Sequence, residues 1–327
     1  MNPLVSVIVP VYGVEQFVEQ CARSLFNQSL AEVEFIYVDD ASPDKSIEKV
    51  KKVLKEFPNR ETQVKIIHHD VNKGLPAARN TGLSVATGEY VFHCDSDDYV
   101  ESQMLERLYR KAKEQDADIV WCDWFLTFEK SERYMKQPLY DMPMDAVKAM
   151  LSGGMKFNVW NKLVKRSLYV ESGISFPDGY GMGEDMTMIM LFAKAKKIAY
   201  MPEAFYHYVK ININAFSRTY SERHLKELRY NVSRVEMFVT EQFGQDIGEY
   251  VAYMKLEAKF PFLLSNDTSR LRLWSKWYSE ANPYIMSNKN VSLRNRCLQW
   301  CAWKNQMWLV RLYSFVFNQI IYGFLYK

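Results

Sequence analysis

The sequence predicts an α/β fold, a mainly parallel sheet sandwiched by helices, followed by a helical C-terminal region. Three observations carry that prediction. Short β-branched runs alternate with amphipathic helical stretches over the first third of the chain. Acidic residues, not glycines, follow the predicted strands, and from about Ser221 onward the chain reads as helical throughout.

The first run, Leu4 to Val11 (LVSVIVPV), is apolar enough for a strand covered on both faces, and Glu15 to Gln28 supplies its helix. Val33 to Val38 (VEFIYV) pairs in the same way with Asp44 to Phe57, and Val64 to His68 (VKIIH) with Leu75 to Ala86. Gly88 introduces a fourth strand, Glu89 to Cys94, and a helix over Glu101 to Gln115 leads to a fifth, Asp118 to Asp123. This is a doubly wound layout. Between Leu126 and Phe216 the pattern loosens into loops, with helices expected at Asp145 to Ser152 and Asp185 to Ala195. A boundary near Thr219 would separate a domain of residues 1–218 from a helical region of residues 219–327.

With 327 residues, 48% hydrophobic and 25% charged, the chain has the proportions of a folded protein. The net charge of +3 is small, and no lysine/arginine stripe with interleaved aromatics occurs in the first 200 residues, so no nucleic-acid partner is expected. Five scattered cysteines without a CxxC pair read as reduced thiols of a cytoplasmic protein. The start, MNPLVSVIVPVY, lacks the positive region of a signal peptide, and no run of 18 uncharged apolar residues predicts a membrane-spanning helix.

Ligands of such sheets lie beyond the carboxyl ends of the strands. Those ends carry Pro10-Val11-Tyr12, Asp39-Asp40-Ala41-Ser42 and Asp95-Ser96-Asp97-Asp98, and no GxGxxG or P-loop follows the first strand. Two unit charges about 5.5 Å apart at an effective dielectric of about 20 repel by roughly 3 kcal/mol, so three carboxylates within four residues call for a counter-charge. Mg2+ or Mn2+ suits such oxygen ligands; a solvated turn with a capping aspartate is the other reading. The second acidic pair, Asp39-Asp40, on a neighbouring strand end favours the cation. Arg79, in a predicted first helical turn, would lie near the rim, either on a phosphate or in a salt bridge within the fold.

SVIVPVY (Ser6 to Tyr12), VDDASPD (Val38 to Asp44), NKGLPAARNTGLSVATGEYVFHCDSDD (Asn72 to Asp98), WNKLVKRSL (Trp160 to Leu168) and GEDMTM (Gly183 to Met188) occur in this order. Together they resemble the family-2 inverting glycosyltransferases of the bacterial surface-polysaccharide type, which have the Rossmann-like GT-A fold. The resemblance runs over roughly residues 4 to 218. It implies that Pro10, Tyr12, Asp40, Arg79, Asp95 and Ser96 bind a nucleotide-sugar, UDP-linked by preference, that Asp97 of the DxD motif holds Mn2+ or Mg2+, and that Asp185 is the catalytic base. It implies weaker roles for Asp39, Asp98, Trp160, Lys162 and Glu184, the tryptophan and lysine lining the sugar and acceptor pocket, and places His207 near a further metal or phosphate ligand of some relatives. The chain departs from the pattern at Gly13, where the family has asparagine, and at Ala41, where it has glycine. The QxxRW motif of processive synthases is absent, so transfer of one hexose-type sugar to a hydroxyl of a glycan or lipid-linked acceptor is expected. Nucleotidyltransfer is disfavoured by the missing glycine-rich loop. A non-catalytic sugar-nucleotide binder is disfavoured by the intact Asp97 and Asp185.

Residues 281–327 contain no Asp or Glu, while Lys289, Arg294, Arg296, Lys304, Arg311 and Lys327 are basic and aromatics crowd the stretch. Arg311, Ser314, Asn318 and Tyr322 fall at helical spacing as a narrow polar stripe. Peripheral contact with the inner face of a membrane is one reading. Packing on the catalytic domain or in a homodimer is the other.

Overall fold

The computed structural model describes residues 3–210, 221–265 and 268–316. Strand β1 (Val5–Val11) is buried at every position, as its unbroken apolar run requires, and α1 (Val18–Phe26), β2 (Val33–Asp39), α2 (Ser46–Leu54), β3 (Val64–His68), α3 (Leu75–Val85) and β4 (Tyr90–His93) follow in alternation. Short β5 (Tyr99–Val100) precedes α4 (Met104–Gln115), β6 (Ile119–Thr127), β7 (Glu132–Met135) and α5 (Pro143–Leu151). Then come β8 (Lys162–Lys165), α6 (Arg166–Ser172), α7 (Thr187–Lys194) and β9 (Ile198–Val209). The rest is helical: α8 (Glu222–Phe243), α9 (Gly248–Lys259), α10 (Thr268–Lys276), α11 (Leu293–Trp303) and α12 (Met307–Val316).

The sheet order is β3-β2-β1-β4-β8-β6-β9-β5, with β7 on β6. Pairings of β1 with β2 and β4, of β2 with β3 and of β6 with β9 are parallel, whereas β8 runs antiparallel to β4 and β6, β7 to β6, and β5 to β9. The expected α/β fold with a helical C-terminal region is present, and its sheet is mixed. Three strands, β7, β8 and β9, lie within the stretch expected to be loops, and each takes part in an antiparallel pairing. The β8 segment is four residues with lysine at both ends, and β9 contains Pro202, which weakens any strand reading. The proline sits where the β6–β9 register slips at Cys122 to Trp124, a bulge that leaves its missing N–H unused in the ladder.

Helix α3 lies against β1 closely enough that a Cβ on Gly82 would fall 2.4 Å from Ile8 Cγ2, so this glycine sets the helix-to-sheet approach.

Two compact units are present, one of residues 1–145 and 157–231, the other of residues 146–156 and 232–327. The boundary expected near Thr219 lies outside the described residues, as do Asn318 and Tyr322 of the C-terminal stripe. In the first unit the sheet is covered by α1, α2 and α4 through Val18, Leu25, Val50, Met104 and Leu108, all buried. Within the second, Asn288 and Asn290 donate to the Ser152 carbonyl and hydroxyl at 3.1 and 2.7 Å, and the buried Lys259 ammonium donates to the carbonyls of Trp277 and Tyr278 and to Asn282 Oδ1. Among the described residues no helix is long and apolar enough to cross a membrane.

Candidate active site

Val11 lies opposite Asp39, and Ile8 opposite His93, so β1, β2 and β4 end on one rim. Tyr12 leaves β1 there, 52% exposed. Both departures from the family pattern fall on left-handed backbone, Gly13 at φ +65° and Ala41 at φ +56°. Asparagine tolerates that region and glycine is free in it, whereas alanine there costs roughly 1–2 kcal/mol. The turn is held by Gly13 N–H donating to Ser42 Oγ and Ser42 N–H donating to Asp39 Oδ1, each at 2.9 Å.

Asp39, half-buried, also lies 2.8 Å from His68 Nδ1. Asp40 is buried, and both its oxygens are engaged inside the protein: Oδ1 accepts from Lys73 N–H and Oδ2 from Gly74 N–H at 2.8 Å, and His69 Nδ1 is 2.7 Å from Oδ1. Those amides lead into α3, so Asp40 braces the helix start.

Asp95 to Asp98 is anchored in the same way. Ser96 Oγ donates to the Pro10 carbonyl at 2.7 Å, which fixes the turn to β1 and leaves both residues as walls. Asp95 N–H donates to Tyr206 Oη at 3.1 Å, and the Tyr206 hydroxyl donates to Asp98 Oδ2 at 2.7 Å, while Val209 N–H donates to Asp98 Oδ1. Burial, and then the charges of Asp97 and Asp95, push the Asp98 carboxyl well above its usual range. Asp98 therefore braces β9. Asp95 and Asp97 stay half-exposed. Mg2+ and Mn2+ are held by one or two carboxylates plus substrate phosphates, and Asp95 and Asp97 supply that number; among the described residues no group of three His, Cys, Asp or Glu comes together as a metal cage.

Arg79, buried in α3, joins this rim to the second acidic segment. Its Nη2 lies 2.9 Å from Asp95 Oδ1 and 3.3 Å from Glu184 Oε1, and its guanidinium sits 5.6 Å from the Phe176 ring centroid. Burial works against its charge, but Glu184 and Asp95 outweigh it and hold the guanidinium protonated. Nε and Nη1 of Arg79 and Oε2 of Glu184 are buried without a hydrogen-bond partner. Glu184 and Asp185 form a 3-10 turn ahead of α7. Burial raises the pKa of both, against the pull of Arg79 on each and of Lys162 on Asp185. Lys162, buried, donates to the Asn158 carbonyl and to Asn161 Oδ1 at 2.6 and 2.8 Å, and burial lowers its pKa to about 7. The result is a pair of carboxyls with raised pKa values beside an arginine, an arrangement suited to proton abstraction.

The Glycosyl transferase family 2 model matches residues 6–180, more than half of the chain. This chain belongs to glycosyl transferase family 2. It is similar to the uncharacterized glycosyltransferase EpsJ of Bacillus subtilis, 33% identical over 217 residues that cover 64% of this chain and 61% of that relative, so the match spans less than two thirds of the relative's length. The fold is that of S. aureus TarS 1–349 in complex with UDP-GlcNAc, with a TM-score of 0.69 and 21% identity over 96% of this chain and 91% of that one. A mannosyltransferase, PcManGT of Pyrobaculum calidifontis, in complex with GDP-Man and Mn2+ matches at a TM-score of 0.52 and 16% identity over 94% and 88%. The nine-stranded mixed sheet is accordingly the GT-A sheet, and the antiparallel β8 belongs to it.

Two further candidate residues of this family-2 chain are engaged by neighbouring side chains. His207 Nδ1 lies 2.7 Å from Glu132 Oε1 and Nε2 2.9 Å from Glu101 Oε1, with the ring stacked on Tyr99 and Phe125, so both nitrogens are occupied by carboxylates. Trp160 is buried and stacks on Tyr206 and Tyr208 at 4.4 and 5.2 Å, supporting β9 from below the rim.

Sequence reasoning missed the residues that hold the Glu184–Asp185 segment. Asn80 Nδ2 donates to the Phe176 carbonyl and Asp178 Oδ1, and its Oδ1 accepts from Phe176 N–H. Asn231 Nδ2 donates to the carbonyls of Tyr180 and Met182 at 3.0 Å, and Glu227 accepts from Met182 N–H. Gly183, at φ +84°, lies so close to α8 that an added Cβ would meet Leu228 at 3.3 Å. The clustering of Gly179, Gly181 and Gly183 ahead of Glu184 was the available signal.

Proposed function

We propose that this protein is an inverting glycosyltransferase that moves one hexose-type sugar from a UDP-linked donor to a hydroxyl of a glycan or lipid-linked acceptor. The observation that carries the reading is the Arg79 bridge, which puts strand-end Asp95 and the Glu184–Asp185 segment in one charged cluster. Family membership supports it, as does the shared fold with a protein that binds UDP-GlcNAc.

In this mechanism Tyr12 stacks on the base from its exposed position, with the Asp39 turn beside it and Asp40, Pro10 and Ser96 shaping the rim. Asp95, held in place by the buried Arg79, faces the ribose and diphosphate. Asp185 takes the proton of the acceptor hydroxyl, whose oxygen bonds to the anomeric carbon on the face opposite the nucleotide. The bond from that carbon to the diphosphate oxygen breaks, and the nucleoside diphosphate departs. When bound at Asp97 with Asp95, Mg2+ or Mn2+ supplies charge neutralisation for the leaving diphosphate, a reading that the Mn2+ complex of PcManGT supports.

The test is metal-dependent hydrolysis of a panel of UDP- and GDP-sugars, which needs no acceptor. The Asp185→Asn variant is expected to bind donor normally and to turn over about 10² to 10⁴ times more slowly. Near-normal turnover would sink the base assignment.

The acid-free C-terminal stretch supports a membrane-surface partner. Trp300, Trp308, Leu293 and Leu312 are exposed on α11 and α12, with Trp308 at 63%, and Arg294, Arg311 and Lys304 lie on the same helices or next to them. Exposed tryptophan and leucine among basic residues with no acid to offset them match an anionic lipid surface.

A further inference from the structure

Tyr180 and Tyr230 stack face to face, ring centroids 3.7 Å apart and planes 11° from parallel, yet they remain 37% and 43% exposed. Neither hydroxyl makes a hydrogen bond among the described residues. Tyr180 sits between Gly179 and Gly181, four positions before Glu184, and Glu184 N–H donates back to the Gly181 carbonyl at 3.2 Å. The backbone there is not free to drift: Asn231, the neighbour of Tyr230 on α8, holds the carbonyls of Tyr180 and Met182, and Asn80, the neighbour of Arg79 on α3, holds Phe176 and Asp178. A firmly anchored, partly exposed aromatic pair thus stands on the segment that leads into Glu184 and Asp185.

We propose that the Tyr180–Tyr230 pair is the platform on which a pyranose ring of the acceptor rests, its C–H face against a tyrosine ring and its hydroxyls within reach of the phenol oxygens. The proposal rests on the transferase reading for its orientation: the nucleotide takes the strand ends at Tyr12 and Asp95, which leaves the Glu184–Asp185 side for the acceptor. A ring-sized aromatic face with two polar tips fits one sugar residue. It is far smaller than a protein interface.

The experiment uses saturation-transfer NMR on the full chain loaded with UDP, with the methyl β-pyranosides of glucose, galactose and N-acetylglucosamine as probes and glycerol as the control without a ring. At least one pyranoside is expected to give a signal that falls fivefold or more in Tyr230→Ala and Tyr180→Ala and survives in Tyr230→Phe, while UDP affinity by calorimetry, which reports an intact fold, holds within twofold. No pyranoside signal on the natural protein, a signal equal to that of glycerol, or one that persists in both alanine variants would overturn the platform. The donor-hydrolysis panel on the unsubstituted protein reports the transferase reading separately, so loss of one leaves the other standing or falling on its own result.

Discussion

Arg79 Nη2 lies 3.3 Å from Glu184 Oε1, with both side chains almost wholly buried, so the strand-end rim and the loop bearing the proposed base share one charge pair. Removing one member of a buried pair strands the other. Arg79→Met is therefore expected to lower unfolding stability by about 3 kcal/mol in urea titrations, and pairing it with Glu184→Leu should recover part of that loss. Additive costs in the double variant would show that the two groups are not coupled.

The acid limb of the pH–rate profile follows from Asp185. Burial raises its pKa, and a base works only when ionised, so kcat/KM should fall with decreasing pH from a point above the ordinary aspartate value of about 3.9. Lys162 opposes that rise. Lys162→Met is expected to move the limb to still higher pH, with donor hydrolysis as the measurement; a limb that stays put would separate Lys162 from the base.

Chelation should abolish donor hydrolysis and added Mn2+ or Mg2+ should restore it. Asp97→Ala is expected to lose about 10² to 10³ in rate that no metal concentration recovers, since several kcal/mol of charge stabilisation is at stake. Asp98→Asn should instead lower the melting temperature, because Asp98 holds Tyr206 and Val209 from a buried position.

Ala41 keeps a Cβ at φ +56°. Ala41→Gly is expected to stabilise the protein by about 1 kcal/mol in chemical denaturation, the steric relief exceeding the added freedom of the unfolded chain. An unchanged or lowered midpoint would contradict this.

Flotation with vesicles tests the C-terminal surface. Truncation at residue 281 would remove Asn282, which caps the buried Lys259, so point variants are preferable. Trp308→Ala with Arg311→Glu should weaken binding to anionic vesicles severalfold and leave neutral vesicles untouched, at about 1 kcal/mol per basic residue near the surface. A concentration-dependent dimer that these variants disrupt, with no flotation in the natural protein, would replace the membrane by a second copy.

Local sequence determined a good deal of this. Apolar runs such as Val5–Val11 and Val33–Asp39 are strands because nothing else buries them, and the carboxylates at their ends mark the rim. The order of the motifs identified the family, and with it Asp97 and Asp185 as the residues to test. What it did not reveal was which carboxylates face solvent. Asp40 and Asp98 read in sequence like Asp39 and Asp97, yet they are buried because Lys73, Gly74 and His69 reach the first and Tyr206 and Val209 the second. Tyr206 and Asp98 are 108 residues apart in the chain. The mixed sheet has the same origin, since β8 finds its place only between β4 and β6. Burial and partnership are properties of contacts that close over such separations, so the tertiary structure alone decided which aspartates are buried and which stay open at the rim.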